Sequence, residues 1–455
     1  MKSKIKCGFR KISNKVILLF SLFFLLPVFF YKLSAVSLSS WDEAWYGVIA
    51  RNIYLKGDLL NLSFNGRAFY DHPPFGFWLQ DIAYKIFGIS DFSVRFPSAI
   101  LGFLTIIVLY LLGREIFGKS AGFFAAISLA TSPWFLFRAR SGNLDVPLTF
   151  LFVLSFYLCI KASKNFTYLI PLSVSLGFLF LTKTLVPFTI IPALIIILWK
   201  KVTLKNLFFP FLLFLIIVLP WFVVNYFNNP DLISRYFAIG YPGNKSGTNI
   251  WQNILLTKIY LHNGIGNWFW WGILSFGFGL LLFRKKYFPI IVFIITFLLP
   301  FAFSNKGHIW HLIPLHPFWI LVFFGLIELT VKKYKYILMF ILFMLISWNQ
   351  IKRNWYEIIN VPAYISDINI LSTKSKEYNL PLYLDDDAVP EAIFYSGKDR
   401  VERIMGRDGI RMTFNSQKEF LLITRDWRLT EEKINAKEYT LIAKDRDKIL
   451  ILNKR

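Results

Sequence analysis

Apolar residues fall along this chain in blocks long enough to cross a bilayer core of about 30 Å as helices, and the blocks are separated by short polar or basic stretches. Eleven such windows are read, at approximately 16–32, 96–112, 121–137, 147–160, 168–182, 185–199, 207–226, 267–283, 287–303, 312–331 and 336–350. Closely spaced pairs among them also fit broken or re-entrant helices. The stretch 33–95 between the first two windows is too long for a connector. Inside it, Trp45, Tyr46, Ile49, Ile53 and Tyr54 recur at helical spacing, as do Phe75, Trp78, Leu79, Ile82 and Ile86. This spacing predicts two amphipathic helices, over 42–56 and 75–87, lying along the membrane surface. The polar segments 227–262 and 304–311 have the composition of loops that close over a cavity. Beyond residue 350 the blocks stop, and 19 basic and 17 acidic residues occupy the remaining 105. There "LPLYLD", "FLLIT", "YTLIA" and "ILILN" read as strands and "VPEAIFYSG" as a short helix. The expected fold class is a polytopic α-helical membrane protein with interfacial helices in a long first outer loop, residues 1–350, followed by a small soluble α/β domain, residues 351–455.

Composition agrees with that pattern. A chain that is 56% hydrophobic with 50 Phe is too apolar for an ordinary soluble domain. Its net charge of +24 raises nucleic acid as a partner, but Lys and Arg sit in short clusters in every second loop, where membrane orientation accounts for them. The positive-inside rule then puts the N-terminus in the cytoplasm and the alternate loops and C-terminal domain outside, in a plasma membrane. The N-terminal run resembles a secretory signal, yet "KLSAVSLSS" offers no small-x-small cleavage site, so it is expected to stay as a span. Cys7 and Cys159 suggest neither a disulfide framework nor a thiolate metal site. Of the ten carboxylates before residue 351, eight fall in outer loops, which suggests a water-accessible polar cavity on that face. Solvated loop surface is the alternative for Asp58, Asp81, Asp91 and Asp231. For Asp385 to Asp387, a solvated turn stands against a metal or acceptor site.

The chemistry-bearing stretches run in order: "DEAWY" (42–46), "YDHPP" (70–74), "RFPSA" (95–99), "GREIFG" (113–118), "RARSGNLDVPL" (138–148), "LGFLFLTK" (176–183) and "FSNKGHIWHLIPLHP" (303–317). Each is weak alone. As an ordered set over roughly residues 35–330 they closely resemble the membrane glycosyltransferases of the GT-C fold that use polyprenyl-phosphate sugars. Among these the set is nearest the family of protein O-mannosyltransferases and of the transferase that adds aminoarabinose to lipid A. A greasy sugar carrier can present its charged head only at the water boundary, so such a site needs cations for phosphate and a carboxylate for the acceptor on one face. No Gly-rich nucleotide-phosphate loop is evident.

The resemblance implies Asp42 as catalytic base toward the acceptor, Glu43 as its orienting neighbour or a contact to backbone, and Asp145 as a second catalytic carboxylate. Acids starting a helix are the alternative for the first pair, and an N-cap for Asp145. It implies Lys183, Arg140 and Lys306 as cations for the donor phosphate, with Arg138 and Arg95 as companions, snorkelling lysines being the alternative. His72 stands where many relatives carry Lys, which would make a phosphate role pH-sensitive near the reference pKa of about 6.5; His311 stands where relatives often have Tyr. Asp42, Asp145, His308 and His311 leave a divalent-metal site open beside ordinary hydrogen-bonding histidines. No cofactor is otherwise implied. The expected activity is inverting transfer of one sugar from a polyprenyl-phosphate carrier to a protein, lipid or glycan acceptor on the outer face, with membrane lipids as surroundings. A transporter or flippase of a lipid-linked sugar is the rival.

Overall fold

The computed structural model describes residues 23, 25–240, 249–304, 307–406, 408–416 and 419–453. Residues 16–22 and 24 of the first expected window, 16–32, lie outside them, as does Lys306. The chain is mainly helical and divides into two compact units, one of residues 1–32, 70–76 and 96–360, the other of 33–69, 77–95 and 361–455.

Among the described residues, five helices are long and apolar enough to cross a membrane: Asp91–Ile116, Asp145–Ala162, Leu204–Asn228, Trp268–Ala302 and Ile309–Thr330. Lys119–Leu129 and Pro133–Ala139, bent by 68° at the intervening turn, form a sixth if counted as one span. The bend falls where Pro133 lacks an N–H and restricts the residue before it. Phe166–Phe180 and Val186–Leu198 are apolar but shorter. The expected windows 267–283 and 287–303 fall on the two helices of Trp268–Ala302, which meet at a kink where Phe283 has non-helical dihedrals. The basic stretch Arg284 to Lys286 directly follows the kink, and the Tyr287 ring packs back against Gly279, where an added Cβ would meet it at 2.1 Å. The last helix, Lys335–Ile359, carries the chain past the expected boundary at residue 350, and the compact units divide instead after Asn360.

Phenylalanines interlock the core of the first unit: Phe156 and Phe293 each pack on Phe318, with ring centroids 4.8 and 4.9 Å apart. Small residues let backbones meet elsewhere. A Cβ on Gly122 would stand 2.5 Å from the Tyr110 carbonyl oxygen and 2.8 Å from the Arg114 nitrogen, atoms that cannot swing aside.

The second unit joins most of the first loop to the C-terminal residues. The two-residue strands β1 (Ser63–Phe64) and β2 (Arg67–Ala68) form a hairpin, whose turn residue Asn65 exchanges two hydrogen bonds with the backbone of Val401. Strands β3 (Leu382–Leu384), β4 (Val401–Arg403), β5 (Leu421–Arg425), β6 (Tyr439–Asp445) and β7 (Lys448–Asn453) make one sheet in the order β4-β3-β5-β7-β6. β3 is parallel to both β4 and β5, while β7 is antiparallel to β5 and β6. All four strands and the helix expected from the apolar runs are present; β4, too short and polar to carry a period, was not anticipated.

The expectation that 42–56 lies as a half-exposed surface helix is corrected. Ten of the fifteen residues of Asp42–Lys56 are buried, polar Arg51 and Asn52 among them. The Arg51 guanidinium donates to the carbonyls of Ile393 and Lys398, both at 2.8 Å, closing the C-terminal end of the Val389–Ser396 helix. Tyr84 donates to the Gly47 carbonyl at 2.9 Å from a second side. The apolar stripe was therefore only one of several packed faces.

Gly122→Ala is expected to destabilise the protein by about 1–3 kcal/mol through overpacking. Gly277→Ala, where an added Cβ meets nothing within 4 Å, should be neutral or slightly stabilising; thermal unfolding in detergent compares the two.

Candidate functional site

The chain "RARSGNLDVP" builds the polar centre of the first unit. Asn143 accepts from the N–H groups of Asp145 and Val146 at 2.9 and 3.0 Å, and its amide donates to the carbonyls of Arg138 and Ser141. This Asx turn starts the Asp145–Ala162 helix, so the N-cap alternative for Asp145 falls to Asn143 instead. The Asp145 carboxylate faces two cations: Lys183 donates to one oxygen at 2.5 Å and Arg138 to the other at 2.9 Å. All three side chains are at most about a tenth exposed. A buried cation this far from water is tolerated only with an anion in contact, and here one carboxylate serves two.

Lys183 lies in the turn after the Leu169–Phe180 helix, held by Tyr236, which donates to the Thr184 carbonyl at 2.8 Å. The "YDHPP" segment is bound to the same turn, since the Phe75 N–H donates to the Leu181 carbonyl at 2.9 Å and its ring stacks on Phe178 at 4.7 Å. That brings His72 within electrostatic reach of Lys183 and Asp145. Burial, with the Lys183 charge added, pushes the imidazole down to about 3. The expected titration near neutral pH is thus corrected: His72 is a neutral ring here. His311 comes within the same reach of Asp145 from the Ile309–Leu315 turn, next to an aromatic wall. There, His308 stacks on Trp310 at 4.5 Å and 9°, and the Arg138 guanidinium lies 5.6 Å from the Trp310 centroid.

Arg140 and Arg95 both donate to backbone carbonyls. Arg140 donates to the carbonyls of Val28 and Tyr31 at 2.8 and 2.6 Å, at the end of the helical stretch 25–30. Arg95, in the second unit, donates to Leu33, Val36 and Ser37 carbonyls and pairs with Glu43 through both oxygens, at 2.8 and 3.0 Å. Glu43 also accepts the Ser39 N–H at 3.0 Å. Its geometry is that of a clamp for the loop before the helix, a contact with backbone being one of the two parts expected of it. Asp42, its neighbour, is half-buried at the first turn of that helix in the second unit.

In the sequence, Asp42, Asp145, His308 and His311 are the residues that leave a metal site open. Among the described residues no three of His, Cys, Asp or Glu converge on a point that could hold an ion. Both Asp145 oxygens are already engaged by Lys183 and Arg138, whose charges would oppose a divalent cation at that carboxylate. Sequence reasoning missed Asn143 and Trp310. The Asn two places before a helix-starting Asp was a readable sign of the first; nothing in the sequence pointed to the second.

Comparison with known proteins follows this geometry. Residues 71–226, which hold His72, Arg138, Asp145 and Lys183, match the family described as dolichyl-phosphate-mannose-protein mannosyltransferase. An uncharacterized protein of Aquifex aeolicus is 35% identical over 138 residues, 30% of this chain and 28% of that one. The undecaprenyl phosphate-alpha-4-amino-4-deoxy-L-arabinose arabinosyl transferase 2 of Proteus mirabilis is 25% identical over 339 residues, 70% of this chain and 59% of its own. The matches thus span less than two thirds of these relatives' lengths. The crystal structure of ArnT from Cupriavidus metallidurans bound to undecaprenyl phosphate superposes with a TM-score of 0.74 at 16% identity, covering 96% of this chain and 98% of that one. The chain is a multi-pass membrane protein of the GT-C fold, similar to the polyprenyl-phosphate-sugar-dependent glycosyltransferases, as the ordered motifs imply.

Glu43→Gln leaves Arg95 buried without its counter-charge and is expected to cost about 3–5 kcal/mol of stability, read by thermal unfolding. His72 gives a separate pH signature. Because its folded-state pKa is depressed, the unfolded chain binds the extra proton first. Stability contributed by the neutral ring is therefore present above about 6.5 and lost as pH falls toward about 3. Wild type should lose more stability than His72→Asn on acidification from pH 7 to 4, by at most about 1.4 kcal/mol per pH unit.

Proposed function

We propose that this GT-C-fold chain is a membrane glycosyltransferase that moves one sugar from a polyprenyl-phosphate carrier to an acceptor at the extracytoplasmic face of the plasma membrane. The observation that carries this reading is the buried Lys183–Asp145–Arg138 triad within the family-matched segment. It is a pocket of cations held ready by one anion. The orientation, N-terminus inside and site outside, rests on the basic clusters of every second loop. The eleven-span count is part of the same proposal: beyond six, the shorter apolar helices Phe166–Phe180 and Val186–Leu198, the second half of the kinked Trp268–Ala302, the Lys335–Ile359 helix and the expected first window 16–32 supply the other five.

Lys183 exchanges its partner during the reaction. In the resting chain it bonds Asp145; when the donor phosphate enters, the ammonium turns to a phosphate oxygen and Arg138 keeps Asp145 neutralised. One anion replaces another beside the same cation, so the swap has a small electrostatic cost and stabilises charge where it grows as the sugar–phosphate bond breaks. A sugar phosphate leaves readily, which makes cationic stabilisation worth more than a general acid. Neutral His72 donates or accepts a hydrogen bond at the phosphate without adding charge. Asp42 takes the proton from the attacking acceptor hydroxyl or amine. A single displacement inverts the anomeric carbon, with no covalent enzyme intermediate.

Purified protein given short-chain polyprenyl-phosphate sugars and candidate acceptors tests this by the mass added to the acceptor. Lys183→Met and Asp145→Asn should each lower kcat by about a hundred-fold or more, and Asp42→Asn should abolish transfer above background. Transfer undiminished in Asp42→Asn removes that residue from the mechanism, and lipid movement without transfer sinks the enzyme reading.

A further inference from the structure

Within the second unit, the parallel strands β4, β3 and β5 end on one edge, and the residues following them line a cleft of about 530 Å³. Asp385, Asp386 and Asp387 follow β3; Arg403 ends β4; Arg425 ends β5 and Arg428 lies a turn beyond it. From β3 the chain crosses to β4 on one side, and from β5 it goes on to β6 and β7 on the other. The connections therefore diverge between β3 and β5, and a crevice at such a divergence beyond the carboxyl ends of parallel strands is where α/β sheets take ligands. The volume is within the roughly 300–1,000 Å³ of small-molecule sites.

The charges of this cleft select its ligand. Three carboxylates and three guanidiniums line it, and every acid is paired with a cation: Asp385 with Arg428 at 3.1 Å, Asp386 with Lys448 at 3.1 Å and Arg425 at 3.4 Å, and Asp387 with Arg403. A metal ion would have to displace a guanidinium from each carboxylate, and an anion would approach three carboxylates to reach the arginines. Neither is favoured. A neutral ligand with adjacent hydroxyls loses nothing to either sign, and it can donate to a carboxylate while accepting from the neighbouring guanidinium, with both bonds charge-assisted. The floor pair is fixed, since Arg428 also holds Glu431, Glu432 and the Gly406 carbonyl, and is only 11% exposed. The rim pair is open: Asp387 is 64% and Arg403 48% exposed. Met405, exposed beside them, supplies an apolar surface for the C–H face of a pyranose ring.

We propose that this cleft is a carbohydrate-binding subsite, taking an uncharged hexose unit of the acceptor. The identification of its ligand as acceptor rests on the transferase reading; the binding of carbohydrate does not. Saturation-transfer NMR on the full chain in lipid nanodiscs, with a panel of neutral hexose oligosaccharides, sulfate and an acidic peptide as probes, tests it. Neutral oligosaccharides should bind, Arg403→Ala and Asp387→Ala should each weaken them at least ten-fold while leaving the thermal unfolding temperature unchanged, and Asp145→Asn should bind them as wild type does. No oligosaccharide binding, binding indifferent to both rim variants, or binding of sulfate or the acidic peptide alone would overturn the proposal. Carbohydrate binding that depends on Arg403 in a protein that transfers no sugar would retain the subsite and remove the transferase reading; transfer without such binding would do the reverse.

Discussion

A charge far from water must have a counter-charge in contact, and the membrane unit of this protein is arranged around that constraint. Arg138 and Asp145, seven residues apart in one stretch, and Lys183, 38 residues further on, are buried together. Each would be costly alone, so the fold that buries them is tied to bringing them into register. Around the triad, the local structure fixes its members one by one. Asn143 starts the helix that presents Asp145, Phe75 ties the His72 segment to the Lys183 turn, and Trp310 lies beside the Arg138 guanidinium. A net positive pocket held by a single carboxylate is stable at rest and ready for a second anion.

The second unit solves a related problem with the same chemistry and a different result. Asp42 and Glu43 are adjacent, yet helical geometry turns their side chains about 100° apart. Glu43 faces inward, where Arg95 meets it with two nitrogens and uses the rest of its fork on three loop carbonyls. Five donors in a rigid plane suit that task, and Lys could not substitute. The half-buried Asp42 is thereby left at the start of a helix whose entry loop is clamped by its own neighbour. The proposed acceptor base and the clamping carboxylate are thus neighbours in sequence, divided by which side of a helix each falls on.

Much of this was legible in the sequence, for reasons that can be named. Membrane helices announce themselves by length and composition, so the long apolar windows and the strands of the C-terminal sheet were found where their hydrophobic runs lie. The Asp145 and Lys183 assignments came from ordered motifs, and these residues do meet. What failed depended on long-range partners. The apolar spacing of 42–56 gives no sign that Arg51 would be buried against Ile393 and Lys398, because those residues are more than three hundred positions away. An Arg in a motif, such as Arg140 or Arg95, carries no mark of whether carboxylates, carbonyls or ligands will occupy it. His72 looked titratable because reference values know nothing of burial.

The division of the molecule into units suggests how such a protein diversifies. The family-matched segment, residues 71–226, contains the triad and His72 and ends well before the sheet. On the reading proposed here, that segment handles what all donors share, a phosphate on a lipid, and its demands are narrow: two cations, one anion, fixed spacing. The β4-β3-β5 edge answers to no such constant. Its ligand contacts come from short loops after strands, where residues change without disturbing a core, while the strands beneath keep Leu382, Leu384 and Leu421 to Ile423 buried. A protein that keeps its phosphate chemistry in a rigid helical unit and its choice of partner in strand-end loops can change acceptor without rebuilding the site that breaks the sugar–phosphate bond.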